Sequence, residues 1–426
     1  MASLSLLQEL QFRGIIHSLA GQELEKKLEG PSLTFYVGFD PTATSLQLGN
    51  LFPIITAKRL AQKGHRPIFL IGGATGMIGD PSGKSEERNL QSLAILQQNQ
   101  SSQRQQLEHL MKNIPVIFTN NIEWFQNFSF IDFLREVGKV FRVNEMLQKD
   151  SVKLRLESEQ GISFTEFSYS LLQAYDFYYL YKNHNATLQL GGSDQWGNII
   201  SGIDYTRRMT GQEVYGITLP LLTDSQGRKL GKTAEGALYV EKNLTSSYQW
   251  YQFFLNLPDE LILKLLFSLS MKPLAELEEV KIKHQEIPEQ RLAQKALGQE
   301  ILEWIHGAQG VKNALLATDF FFGKEIDLHS HNLTDEQIQD IFPHIPSANL
   351  SFSLLEQGIS VDSLLAQTPL FSSKADVRRL IEQGGVFLNN QKIDSSETKI
   401  TSSFLLTKST MLIRKGKKNY CVCWFS

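Results

Sequence analysis

Phe35-Tyr36-Val37-Gly38-Phe39-Asp40-Pro41-Thr42-Ala43-Thr44-Ser45-Leu46-Gln47-Leu48-Gly49-Asn50 is the stretch around which the chain is organised. Its apolar, aromatic beginning, from Leu33 to Phe39, predicts a buried strand. Asp40-Pro41 ends that strand, because proline brings no N–H to a ladder. A short Thr/Ser loop follows, and a helix is expected from near Leu48. Strand, tight polar loop and helix in that order bring backbone N–H groups and a positive helix end to the carboxyl edge of a sheet. Anions, phosphates above all, bind well at such an edge.

At 426 residues the chain exceeds one ordinary core, so two or three domains are expected. With 42% hydrophobic and 20% charged residues it has the composition of a globular protein. A net charge of −3 excludes a generic polyanion binder, yet the charge is uneven. From Ser372 onward ten Lys/Arg face four Asp/Glu, a local +6 that leaves −9 for the rest. That imbalance predicts a nucleic-acid partner engaged at one end. Cys421 and Cys423 are too few and too close for a disulfide framework or a zinc site, so reduced thiols and no bound metal are expected. The apolar run from Pro67 to Gly79 is too short to span a bilayer. The N-terminus has neither the pattern of a secretion signal nor the arginines of a transit peptide, which makes the cytoplasm the expected location, with no membrane partner.

Further strands are expected at Pro67–Ile71, Pro115–Thr119, Thr187–Leu190 and Ile217–Leu222. Helices are expected over 1–32, Ser101–Lys112, Trp124–Gly138 and Thr165–Tyr181. The alternation predicts an α/β fold, a doubly wound parallel sheet of Rossmann-like type. The long gap before the fourth strand predicts a helical insertion at about 124–160. The expected division is a Rossmann-like domain over 1–225, a loop and α-helical domain over 226–325, a linker over 326–350, and a small α+β domain over 351–426. Short helices are expected there at Ser360–Ala366 and Lys374–Glu382.

Three constellations carry chemistry. In the Thr165–Tyr181 helix, Tyr169, Gln173 and Asp176 stand at i, i+4 and i+7, within about 40–60° on one face. If buried, this polar stripe needs partners; spacing alone equally allows a solvated face. Gly191-Gly192-Ser193-Asp194-Gln195-Trp196-Gly197-Asn198 repeats the strand–loop–helix logic, with Asp194 suited to ribose hydroxyls or simply to an N-cap. Lys229-Leu230-Gly231-Lys232-Thr233 offers two mobile cations for a polyphosphate, or an ordinary basic loop. Asp80-Pro81-Ser82-Gly83-Lys84-Ser85 is not a Walker loop. That motif requires glycine where Ile78 stands, and Pro81 interrupts the donors.

Together these pieces resemble the bacterial tyrosyl-tRNA synthetases, a class I aminoacyl-tRNA synthetase family. The match runs through Tyr36–Ala43, Gly79–Lys84, Phe164–Tyr169, Gln173–Asp176, Gly191–Asn198 and Lys229–Thr233. The resemblance implies a tyrosine–tRNA ligase with L-tyrosine, ATP and tRNA(Tyr) as substrates. Mg2+ would accompany ATP, with no tightly bound cofactor and no DNA partner. It assigns Tyr36 and Asp176 to the phenolic hydroxyl, and Asp80, Tyr169 and Gln173 to the α-ammonium, with Gln195 near the carboxylate. Gly38, Asp40, Gly49, Asn50, Gly192 and Asp194 would line the nucleotide site. Thr42, Gln47, Lys84, Arg88, Lys229, Lys232 and Thr233 would act on the phosphates.

The first class signature departs from the usual His-Ile-Gly-His and reads Gln47-Leu48-Gly49-Asn50. A glutamine amide still offers an N–H donor at similar reach, so Gln47 is carried over as a weaker ligand. That mismatch supports the alternative of a non-catalytic RNA-binding relative. The related tryptophan enzyme is disfavoured by the Tyr36/Asp176 pair. The tail from Ser373 to Asn389 resembles a small ribosomal-type RNA-binding domain, with Lys374, Arg378 and Arg379 near one helical face. By the same resemblance, the insertion would form a homodimer interface.

Overall fold

The computed structural model describes residues 4–82, 91–157, 161–233, 236–322, 328–342, 345–416 and 419–426. Compactness divides the chain into two units, Met1–Glu241 with Leu257–Leu297, and Lys242–Asn256 with Gly298–Ser426. The helical domain expected over 226–325 is therefore shared between them.

The first unit is built on a six-stranded sheet in the order β1-β6-β5-β2-β3-β4. Its strands are β1 (Ser18–Ala20), β2 (Thr34–Phe39), β3 (Arg66–Ile71), β4 (Ile117–Asn120), β5 (Ala186–Gly192) and β6 (Tyr215–Leu219). All neighbours pair parallel except β1, which runs antiparallel to β6. β1 is a correction, since residues 1–32 were expected to be helical throughout. Instead α1 (Leu6–Phe12) and α2 (Leu24–Glu29) flank an edge strand. Gly21, at φ 104° and packed beside the Tyr215 ring, marks the break between strand and α2. β6 stops at Leu219 rather than Leu222, because Pro220 cannot donate to the ladder.

The chain leaves β2 through α3 (Leu48–Gln62) to β3, then through α4 (Thr75–Ile78) and α5 (Leu93–Leu110) to β4. It next passes to the other side of β2, through α10 (Phe164–His184) to β5 and α11 (Trp196–Thr210) to β6. The direction of winding thus reverses between β2 and β5, and their carboxyl ends open a crevice where ligands bind in such sheets. The insertion comprises α6 (Ile122–Phe125), α7 (Phe130–Glu136), α8 (Val143–Met146) and α9 (Asp150–Leu156). The single helix expected over 124–138 is broken, and Ser129 caps the second piece by accepting from Asp132 N at 3.1 Å. α9 is joined to α10 by a buried ion pair, Arg155 Nη2 to Glu166 Oε2, at 2.9 Å.

Helices Asp259–Leu269 and Leu274–Glu286 also belong to this unit. Arg13 donates to the carbonyls of Phe267, Ser270 and Lys272, and Arg59 to that of Ser270, so two cations cover carbonyls at the negative end of the first of these helices.

In the second unit the stretch expected as a linker over 326–350 holds helix Asp335–Ile341 and strand Ser347–Leu350. Ile338 and Ile341 are buried against Phe320, Phe342, Leu412 and Val422. The strand pairs parallel with Asn419–Phe425, forming one edge of a five-stranded sheet. Local sequence did not reveal this strand, because its partner lies 75 residues away and supplies its hydrogen bonds. Cys421 and Cys423 are free and buried in the same sheet. Among the described residues no helix is long and apolar enough to cross a membrane.

Candidate active site

A cavity of about 380 Å³ opens at the carboxyl ends of β2 and β5. Tyr36 reaches it from the middle of β2, and Tyr169, Gln173 and Asp176 from one face of α10. The polar stripe read from spacing is therefore turned inward. Three buried polar atoms in this wall lack a hydrogen-bond partner among the described residues: Tyr36 Oη, Gln173 Oε1 and Gln189 Oε1. Orphaned polar atoms lining a cavity mark a place for a polar ligand.

Asp176 accepts from Trp124 Nε1 at 2.9 Å and from Asn121 Nδ2 at 3.1 Å. Burial raises its carboxyl to about 7, Asp40 adds to the rise, and these two hydrogen bonds oppose it. Burial, with the charge of Asp176, also holds the Tyr36 hydroxyl well above the usual phenol range. Asn121 also donates to Thr75 Oγ1 at 3.0 Å, and Thr75 donates to Asp40 Oδ1 at 2.8 Å. Tyr169 closes the chain by donating to Asp40 Oδ2 at 2.8 Å. Asp40, expected at the nucleotide, thus has both carboxylate oxygens bonded within this network. A side chain at Gly72 would collide with the Asp40 carboxylate and the Thr75 hydroxyl, so the close approach requires glycine there.

Asp80 faces the same cavity. It accepts from Gln195 Nε2 at 2.6 Å and from Ser82 N at 2.9 Å. Lys149 lies near it, its ammonium buried with no hydrogen-bond partner among the described residues. Burial lowers that amine to about 8 against the pull of Asp80.

The other end of the cavity is lined by Gly38, Thr42, Gln47, Gly49 and Asn50, facing Gly192, Asp194, Lys229 and Lys232. Asn50 Oδ1 accepts from Gln47 N at 2.9 Å, so the asparagine caps α3 and leaves its amide N–H2 for other partners. Lys229 pairs with Asp194 at 3.4 Å. The two signature segments are stitched together: Leu48 N donates to Leu238 O at 3.1 Å, Val240 N to Leu46 O at 2.8 Å, and Leu238 N to Gly231 O at 2.8 Å. Lys84 and Arg88 lie outside the described residues, as does the side chain of Thr233.

Lys374, Arg378 and Arg379 stand on helix Lys374–Glu382 in the second unit. Arg378 pairs with Asp362 at 2.6 Å and Arg379 with Asp376 at 2.8 Å, whereas the sequence reading had them reaching for phosphates. Both arginines are exposed, while the carboxylates they meet are largely buried.

Sequence reasoning missed Asn121, Trp124, Lys149 and Gln189. Trp124 was read as the start of the insertion, yet it is buried and stacks on Tyr179 at 4.1 Å. The available signal was position: Asn121 and Trp124 directly follow β4 at the carboxyl edge that carries the other site residues.

The family model described as tRNA synthetases class I (W and Y) matches residues 28–323. The chain belongs to this family. A second model, the tyrosine–tRNA ligase SYY-like C-terminal domain, matches 337–423. This second match takes in residues 337–350 of the stretch expected as a linker. A tyrosine–tRNA ligase of Rhodopirellula baltica is 43% identical over 99% of this chain and 96% of its own length. Another, from Cytophaga hutchinsonii, is 41% identical over 99% of this chain and all of its own. A C-terminally truncated mitochondrial tyrosyl-tRNA synthetase of Aspergillus nidulans aligns with a TM-score of 0.69 at 30% identity, covering 75% of this chain and 95% of that one. These synthetase structures include tryptophanyl members at 14% identity, a likeness of fold alone.

Proposed function

We propose that the protein is a tyrosine–tRNA ligase, and that the cavity holds L-tyrosine at one end and ATP at the other. The observation that carries this reading is the closed end of the cavity. There a buried carboxylate, Asp176, stands near an unpartnered hydroxyl, Tyr36. A phenolic hydroxyl donates to the first and accepts from the second. Phenylalanine leaves both groups desolvated and unpaired, and the indole of tryptophan offers a donor but no acceptor.

With the phenol there, the α-ammonium lies toward Asp80, Tyr169 and Gln173, and the carboxylate toward Gln195 and the phosphates. In the first step a tyrosine carboxylate oxygen attacks the α-phosphorus of ATP. The bond to the bridging oxygen breaks and pyrophosphate leaves with that electron pair. In the second, a ribose hydroxyl at the tRNA 3′ end attacks the activated carbonyl, its proton is lost and AMP departs. Neither step needs a covalent enzyme intermediate, so positioning and charge suffice. Lys229 and Lys232 would meet the charge developing on pyrophosphate, and Asp194 would hold ribose hydroxyls once Lys229 moves to the phosphates. Mg2+ would arrive with ATP and neutralise phosphate charge beside these lysines. The basic C-terminal domain would hold tRNA through Lys374, Arg378 and Arg379, and a cytoplasmic site of action belongs to the same proposal.

Tyrosine-dependent exchange of labelled pyrophosphate into ATP tests the reading. Exchange with tyrosine and none with phenylalanine or tryptophan is expected. A protein that binds tRNA but never exchanges pyrophosphate is the non-catalytic relative instead.

A further inference from the structure

We propose that the side-chain amides of α5, with Gln91 just before it, set the Pro41–Ser45 loop as a cradle for the phosphates of a nucleoside triphosphate. The inference rests on the reading that this cavity binds ATP, and it names the groups that give the loop its shape.

Successive loop carbonyls are taken up from one side. Asn99 Nδ2 donates to Pro41 O at 3.0 Å, Gln91 Nε2 to Thr42 O at 3.2 Å, and Gln103 Nε2 to Ala43 O at 2.8 Å. Gln106 anchors the end of the loop, its Oε1 accepting from Leu46 N at 2.8 Å and from Ser45 Oγ at 3.3 Å. Asn99, Gln103 and Gln106 stand at i, i+4 and i+7, one face of α5. Asn99 also donates to Gln91 Oε1 at 3.1 Å, which links the set.

In a trans peptide the C=O of one residue and the N–H of the next point in opposite directions. Carbonyls of Thr42 and Ala43 drawn toward α5 therefore turn the N–H groups of Ala43 and Thr44 away from it. Neither N–H has a partner within the described residues. Thr42, Ala43 and Ser45 line the cavity, whose wall also includes Gln103, Lys229 and Lys232. Consecutive N–H groups turned the same way form an anion-binding concavity. Left free, the carbonyls would present negative dipole ends to the same polyphosphate.

The arrangement goes beyond packing. Asn99 and Gln103 are buried, and each leaves its own carbonyl oxygen without a hydrogen-bond partner. An apolar residue there would spare that penalty but leave the Pro41 and Ala43 carbonyls without these donors. Their contribution is the direction they impose on the loop, so they are positioning residues and do not touch the reacting atoms.

The test uses the full chain with Gln103→Met, which keeps size and removes the donor, and with Gln91→Ala at an exposed position. KM for ATP, pyrophosphate and tyrosine is measured in the exchange assay, with Tm alongside. Each variant is expected to raise the ATP and pyrophosphate KM by about 5-fold, the effect of one lost hydrogen bond, and to leave the tyrosine KM within 2-fold. Unchanged ATP and pyrophosphate KM in folded variants, or an equal rise in all three, overturns the proposal. If Gln103→Met fails to fold, Gln91→Ala decides alone. If the unaltered protein does not exchange pyrophosphate, the ligase reading fails separately, and calorimetric ATP binding decides the role of the amides: weaker in the variants supports it, equal overturns it.

Discussion

Asp176 is held by Trp124 and Asn121 and yet sits so deep that its carboxyl is raised to about 7. The sign of the consequence follows from the direction of the shift. A raised pKa keeps the protonated form further up the pH scale, so the ionised acceptor fills in only as pH rises through about 7. Tyrosine binding that needs the carboxylate should therefore be about tenfold weaker at pH 6 than on its high-pH plateau. Trp124→Phe removes a donor that lowers the value, so it should move the midpoint upward. Calorimetric titration of tyrosine from pH 5.5 to 8.5 checks both; a flat profile, or a midpoint that does not move in Trp124→Phe, contradicts this account. Asp176 was recognisable from its place in the helix, while its partners were not, since they lie 52 and 55 residues earlier and meet it only in the fold.

The insertion shows what an element of ambiguous pattern becomes once its neighbours are present. Val137 and Met146 turn into a core with Tyr205 and Ala174. Phe130 and Ile131 remain 65% and 62% exposed, with Val143 and Leu154 similarly open. Large exposed apolar residues on α7, α8 and α9 are candidates for an interface. We propose that this face joins two copies of the chain, and that the buried Arg155–Glu166 pair passes its placement to α10. Phe130→Glu, which puts a charge on an exposed position, should convert a dimer to a monomer in light scattering without lowering the monomer's Tm appreciably. A monomeric unaltered protein at micromolar concentration refutes the interface.

At the scale of the molecule, the core of the second unit reaches from the C-terminal strands back to residues 317–342. Leu412 and Val422 of the C-terminal sheet, with Leu406 just before it, pack in one core with Phe320, Ile338, Ile341 and Phe342. Asp335 accepts from the Thr407 and Ser409 hydroxyls. Removing residues from 351 onward thus strips one side of that core, and each large apolar residue left exposed forfeits roughly 1.5–3 kcal/mol. The truncated chain is expected to keep pyrophosphate exchange, to lose most tRNA charging, and to show an additional low-temperature unfolding transition by calorimetry. Loss of exchange would place adenylate chemistry partly in the second unit, and an unchanged unfolding profile would show that the helices there stand without the sheet.

The sequence by itself determined a doubly wound parallel sheet and many of the residues that line its crevice. Buried parallel strands are continuous apolar runs, and Asp40-Pro41 and Gly191-Gly192 punctuate their carboxyl ends. A site carried on those ends is local in sequence even when it is assembled from several segments. Tertiary structure alone decided the edge strands Ser18–Ala20 and Ser347–Leu350, whose hydrogen bonds come from distant partners. It also decided which polar residues are paired. Tyr169 met Asp40, Trp124 met Asp176, and the amides of α5 took up the loop of the opening stretch. Spacing along a chain specifies a face, whereas a hydrogen bond requires two faces, and the second is supplied only by the fold.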